Sequence, residues 1–176
     1  MKITILSLLY CLWISNLFGQ KATTVNLKNH HQIATSQEGE KIFKQLLLAF
    51  SYNADSVIHL FDKNSVIEFP YAVSLKTAER LNYNEYYNYL KKGLPNMPNI
   101  KFKNAIIYPT INNAFWAEAH GEVTIPSTNK LYKQKYVMYF IIDKGKISHY
   151  REYWDPIEGI KAFGNENNLN EIFNKK

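Results

Sequence analysis

The chain has 176 residues, 46% of them hydrophobic and 20% charged, with a formal net charge of +6. That length supports one domain with a proper core. The basic residues are scattered, with no dense run, which argues against nucleic acid as a partner.

Residues 1–19 read as a secretory signal. Lys2 supplies the positive start, residues 3–18 form an apolar run too short and too poorly flanked for a membrane span, and Gly19 is a small residue at the cleavage point. The expected location is therefore secreted or periplasmic, with no stable membrane span after signal removal. Cys11, the single cysteine, lies in this run, so the mature chain would have neither a disulfide nor a thiolate. Residues 20–36 are polar and aperiodic and read as a flexible lead-in. Its adjacent His30 and His31 point apart in any regular element, and no acid cluster lies nearby to complete a metal site.

The domain proper is expected over residues 37–165. Ser36 opens a helix, and Ile42, Phe43, Leu46, Leu47 and Phe50 recur at helical spacing to about residue 52. A short second helix is predicted over 56–61 and a strand over 65–72, with Pro70 marking an edge or a bend. A third helix opens at 82–84 and stops at Gly93, with Pro95 and Pro98 just beyond. Strands follow at 100–108, 113–125, 133–142 and 146–154, separated by turn residues. Asp155-Pro156 then starts a last helix over 156–163, with Gly164 after its end. Residues 166–176 read as a polar tail.

This order predicts an α+β fold. A strongly curved antiparallel sheet would wrap on three N-terminal helices, with a short helix at the C-terminal end, leaving an open cone between sheet and helices. Glu152 is the leading candidate for chemistry. Alternation puts Glu152 and Trp154 on one strand face and Arg151 and Tyr153 on the other. If the first face lines a cavity, burial raises the carboxyl's pKa and suits it to proton transfer near neutral pH.

Alternation on FWAEAHGEV puts Trp116, Glu118, His120 and Glu122 on one face and Ala117, Ala119 and Gly121 on the other. Two readings follow. The polar face lines the pocket, and His120 forms an acid/base cluster with Glu118 and Glu152; or it is an outer face wetted by solvent. Tyr136 shares a face with Met138, inward or outward. Tyr71 is a candidate to offer a phenol at the cone mouth, and the third helix carries Tyr83, Tyr86, Tyr87 and Tyr89. His59, His120 and His149 lie on different elements without metal spacing, so no metal and no cofactor are expected.

The stretches HLFDKNSVIEFPYA, YYNYLKKGLPN, FWAEAHGEV and YFIIDKGKISHYREYWDP, the last followed by a helix ending AFG, resemble the nuclear-transport-factor-2-like superfamily. Within it they are similar to SnoaL-like polyketide cyclases and phenazine biosynthesis A/B proteins. The resemblance runs from about residue 39 to 164. It implies the cone fold, a small apolar or aromatic ligand and a homodimer across the sheet's outer face.

Carried over residue by residue, the resemblance is partial. Glu152 matches the pocket acid of the phenazine A/B proteins and the first aspartate of limonene epoxide hydrolases. The second aspartate and the arginine of those hydrolases correspond to His120 and Glu118, so the aspartate is replaced and the arginine lost, which argues against epoxide hydrolysis of that type. The phenazine proteins' helix histidine aligns with Tyr86, and the catalytic aspartate of ketosteroid isomerases with Phe69. The resemblance supplies the match at Glu152; the residues themselves give Glu152 and His120 as the candidate catalytic pair, and Glu118, Trp116, Trp154, Tyr71, Tyr86 and Tyr136 as candidate ligand contacts. Two functions remain: cofactor-free isomerase, cyclase or dehydratase chemistry through Glu152, or ligand binding without turnover.

Overall fold

The computed structural model describes residues 36–173. The expected signal sequence at 1–19 and the lead-in up to residue 35 lie outside the described residues.

Helix α1 (Ser36–Phe50) buries Ile42, Phe43, Leu46, Leu47 and Ala49 along one stripe. The short α2 (Ala54–Ile58) is capped by Asn53, whose side chain accepts from the Ser56 N–H at 2.8 Å. Strand β1 (Phe61–Glu68) begins four residues earlier than its β-branched core suggests. It ends before Pro70, which cannot donate to a ladder. A 3-10 turn (Ala72–Leu75) and the three-residue β2 (Arg80–Asn82) then lead into α3 (Tyr83–Gly93). Asn82 and Glu85 close a reciprocal capping box at the start of α3.

Four long strands follow: β3 (Lys101–Pro109), β4 (Ala114–Ile125), β5 (Lys130–Asp143) and β6 (Lys146–Tyr153). The sheet order is β2-β1-β6-β5-β4-β3, antiparallel throughout except for the parallel β1–β6 pair. The sheet is curved and does not close on itself. Its inner face meets the helices in one apolar core that includes Phe61, Ile67, Phe115, Phe140 and Tyr150.

Helix α4 (Pro156–Phe163) has Pro156 in its first turn, and Asp155 Oδ1 accepts from the Ile157 N–H at 2.8 Å. The stretch expected as a polar tail is instead largely helical. Glu166–Phe173 forms a further helix, α5, with Leu169 and Phe173 buried. Apolar residues at 169, 172 and 173 give it the one-sided spacing of a docked helix. Phe173 packs so closely on α3 that a Cβ at Gly93 would lie 2.5 Å from its ring, so only glycine fits there.

Two features aim β6. The β5–β6 hairpin turns through Lys144 and Gly145, both with positive φ, in a two-residue loop between the paired Asp143 and Lys146. Pairing then slips by one residue: Ile142 faces Ile147, but Ile141 faces His149. Ser148 is the extra residue of a β-bulge. Ile147 is buried, and so are Tyr150 and Trp154 three and seven residues on. Without the bulge, the inward set that starts at Ile147 would continue through His149, Arg151 and Tyr153.

Candidate functional site

The bulge sends Tyr150, Glu152 and Trp154 to the inner face of the sheet. Glu152 sits opposite Met138 of β5 and lines a pocket between the sheet and helices α3, α4 and α5. The pocket holds about 70 Å³ of free space, room for about five waters or one small organic molecule. From α3 come Tyr86, Tyr89 and Leu90, at the i, i+3, i+4 spacing of one helix face. From β5 come Tyr132, Tyr136 and Met138. Trp154, Phe163, Leu169 and Phe173 wall the C-terminal side.

The small residues of β4 make this arrangement possible. Ala117, Ala119 and Gly121 face inward opposite Met138, Tyr136 and Gln134. A Cβ at Gly121 would approach the Tyr136 ring to 2.8 Å, so the glycine lets that ring lie across β4.

Glu152 is half-buried, and its carboxyl is set among phenols. The Tyr150 hydroxyl donates to Glu152 Oε2 at 2.5 Å. Burial raises the carboxyl from its ordinary value to about 7, against a lowering by that hydrogen bond. Burial in turn pushes the Tyr86, Tyr89 and Tyr150 phenols well above their ordinary range, and the nearby Glu152 charge adds to it. Tyr136 rises the same way, through burial first and then Tyr132 and Glu152. Tyr132, whose hydroxyl accepts from Gln134 Nε2 at 3.1 Å and from the Tyr136 hydroxyl at 3.3 Å, is pushed up to about 12, chiefly by burial. At neutral pH one side chain in the pocket can exchange a proton, and it is Glu152.

Gln134 fixes the end of β6. Its amide donates to the Asp155 carbonyl at 3.0 Å and accepts from the Asp155 N–H at 3.0 Å. The chain segment that carries Trp154 is thereby pinned to β5.

The structure separates the remaining candidates from Glu152. Trp116, Glu118 and His120 point to the outer face of β4, because Phe115, Ala117 and Ala119 take the inner one. His120 Nδ1 is 3.2 Å from the Asn104 side-chain nitrogen. The expected cluster of His120, Glu118 and Glu152 is therefore not formed. Trp116 is 37% exposed and packs its ring 5.1 Å from Tyr139 and 6.2 Å from Tyr153. Tyr71, 50% exposed, stands edge-on to Tyr153 on the same outer side and does not reach the pocket. Tyr86, Tyr136 and Trp154 line it together with Glu152. Tyr89, one of the four tyrosines named on the third helix, and Tyr132, which sequence reasoning did not single out, join them. The spacing of Tyr89 from Tyr86 was the available signal for the first, and its alternation with Tyr136 for the second.

The outer face has its own charged hub. Glu68 Oε2 accepts from His149 Nε2 at 2.8 Å and from Arg151 Nε and Nη2 at 2.9 and 2.7 Å, and Arg80 Nη1 reaches Glu68 Oε1 at 2.5 Å. Burial acts to raise Glu68, but the hydrogen bonds and charges of His149 and Arg151 outweigh it and hold the carboxyl below its ordinary value. Among the described residues no group of three or more His, Cys, Asp or Glu side chains could hold a metal ion. No helix there is long and apolar enough to cross a membrane.

No protein-family profile matches the chain. By sequence it is similar to the uncharacterized protein YesE of Bacillus subtilis (strain 168), 27% identical over 126 residues that cover 71% of this chain and 86% of that protein. A 71-residue stretch is 34% identical to the phenazine biosynthesis protein PhzA of Pseudomonas fluorescens, covering 38% of this chain and 44% of PhzA. By structure it superposes on a putative isomerase from Bacillus subtilis with a TM-score of 0.67 at 25% identity, covering 73% of this chain and 94% of the other. It also superposes on an NTF2-like protein from Burkholderia xenovorans LB400 with a TM-score of 0.55 at 16% identity, covering 72% and 95%. The chain has the nuclear-transport-factor-2-like fold. In this NTF2-like domain the pocket occupies the hollow of the cone, and Glu152 is its one carboxyl among the described residues.

Proposed function

We propose that this protein binds a small apolar or aromatic molecule in its cone and moves a proton on it with Glu152, without a cofactor. The observation that carries this reading is the single carboxyl held near pH 7 in an aromatic pocket. A group with that pKa is half ionised at neutral pH and serves as acid or base with equal ease. Tyr86 and Tyr89 bring un-ionised phenols to the same space, fit to donate to a ligand oxygen. Likeness to a putative isomerase and to a phenazine biosynthesis protein supports chemistry of the isomerase, cyclase or dehydratase type.

The test is solvent-deuterium exchange into the α-carbon of a small cyclic ketone, followed by NMR. Wild type exchanges the label faster than buffer, and Glu152→Gln does not, while both bind the ketone. Equal exchange by the two proteins would sink the proton-transfer role. The second reading, binding without turnover, is favoured by the placement of His120 outside the pocket, which leaves Glu152 without a basic partner. It predicts ketone binding by both proteins and exchange by neither.

The reading extends to assembly and location. The protein acts as a homodimer across the outer sheet face, where Trp116 and Val137 are exposed at 37% and 40%. Light scattering of wild type and Trp116→Glu tests this, with a monomeric wild type as the refuting result. Residues 1–19 support export, and the N-terminal sequence of the mature protein decides whether they are removed.

A further inference from the structure

Among the described residues the pocket holds one acid and no base. The groups that face Glu152 are all phenols: Tyr86 and Tyr89 from α3, Tyr132 and Tyr136 from β5, and Tyr150 from β6 itself. Among the described residues no lysine, arginine or histidine lines the space. The nearest basic neighbour along the chain, Arg151, points to the other face of the sheet and is engaged with Glu68.

Among the described residues an ionised Glu152 therefore has a hydrogen bond from Tyr150 and no counter-charge. Buried charges are paired or neutralised, because leaving water uncompensated is costly. The phenols supply no positive charge. A neutral ligand leaves the deficit as it was, and an anionic ligand worsens it. A cationic ligand removes it. The walls agree with that sign, since ten of the eighteen lining residues are aromatic. Ring faces attract cations, the more so where water is excluded. Tyr86 and Tyr89 line the same space, and a phenol oxygen can accept an N–H group as well as donate.

We propose that the pocket selects a small apolar amine, bound as its ammonium ion, with the N–H donating to the Glu152 carboxylate and the hydrocarbon body against the aromatic walls. This rests on the reading of the cone as a ligand site and adds the charge class of the ligand.

Benzylamine, benzyl alcohol and benzoate test it, since they share a ring and a size and differ in charge. Their binding to wild type and to Glu152→Gln is measured by calorimetry at pH 8. Benzylamine should bind wild type at least about tenfold more tightly than benzyl alcohol, with benzoate weakest. In Glu152→Gln that preference should collapse, and continued binding of benzyl alcohol shows that the pocket still forms. At pH 6, where Glu152 is largely protonated, benzylamine binding should release close to one proton, read from buffers of different ionisation heat. Benzyl alcohol binding as tightly as benzylamine, or a preference that survives the substitution, overturns the amine selectivity and leaves the ligand site standing. Failure of all three probes to bind overturns both.

Discussion

The Tyr150 hydroxyl and the Glu152 carboxyl, two residues apart on the same face of β6, are joined by a hydrogen bond inside the cone. The phenol donates and the carboxyl accepts, so the bond favours the ionised acid while the surroundings oppose it. The balance leaves the acid near neutrality.

That balance gives a stability prediction with a definite sign. The folded pKa of Glu152 is raised from 4.5 to about 7. Below 4.5 the group is protonated in both states and costs nothing. Between 4.5 and 7 the unfolded chain ionises first, and above 7 the folded state carries the full penalty. Glu152→Gln should match wild type at pH 4 and exceed it by about 3 kcal/mol at pH 8. Urea unfolding at the two pH values checks this, and equal stability at pH 8 would mean a solvated carboxyl.

Tyr150→Phe removes the hydrogen bond and keeps the ring. The carboxyl loses its one lowering interaction, so Glu152 should titrate higher than in wild type. NMR of the labelled glutamate carboxyl follows it directly. A downward move would show that the hydroxyl's desolvating bulk outweighs its donation.

On the outer face the sign reverses. Glu68 is held below 4.5, so its contribution is fully present above that value and is lost as pH falls through the lowered folded pKa. Glu68→Gln should cost about 1 to 3 kcal/mol at pH 7 and progressively less under acid. Unfolding at pH 7 and pH 3 gives the comparison.

His120→Ala should change stability by less than about 0.5 kcal/mol, as for an ordinary surface site. Ligand affinity should not change either. Thermal shift and calorimetry on this variant beside Glu152→Gln separate the two faces of the sheet.

Gly121→Val adds bulk where a Cβ already meets Tyr136 at 2.8 Å and Ile100 and Phe102 at 3.2 Å. Overpacking of this kind should cost about 1 to 3 kcal/mol and push the Tyr136 ring into the pocket. Ligand affinity should fall at pH values where the protein remains fully folded.

Much of this architecture was legible in the sequence because its boundaries carry chemistry. Asn82 with Glu85, Asp155 with Pro156, and Lys144-Gly145 each mark an end or a turn that the backbone then obeys. Helix α5 was not legible, since Glu166–Phe173 is polar on average and its helicity depends on docking Leu169 and Phe173. Strand β2 has three residues, too few to show alternation. In the site, alternation grouped Trp116, Glu118 and His120 correctly but cannot say which group is inward. The large residues of β5 opposite Ala117, Ala119 and Gly121 decide it, and that pairing exists only once the strands are in register.

Ser148 has no functional group in the pocket, yet the parity it imposes makes Glu152 an interior acid and Arg151 a surface base. Among related chains, the number of residues separating the last hairpin from the acid therefore matters as much as the acid itself. Losing that one residue would exchange the inside and outside of everything downstream, and the same glutamate would become a surface charge with nothing to protonate.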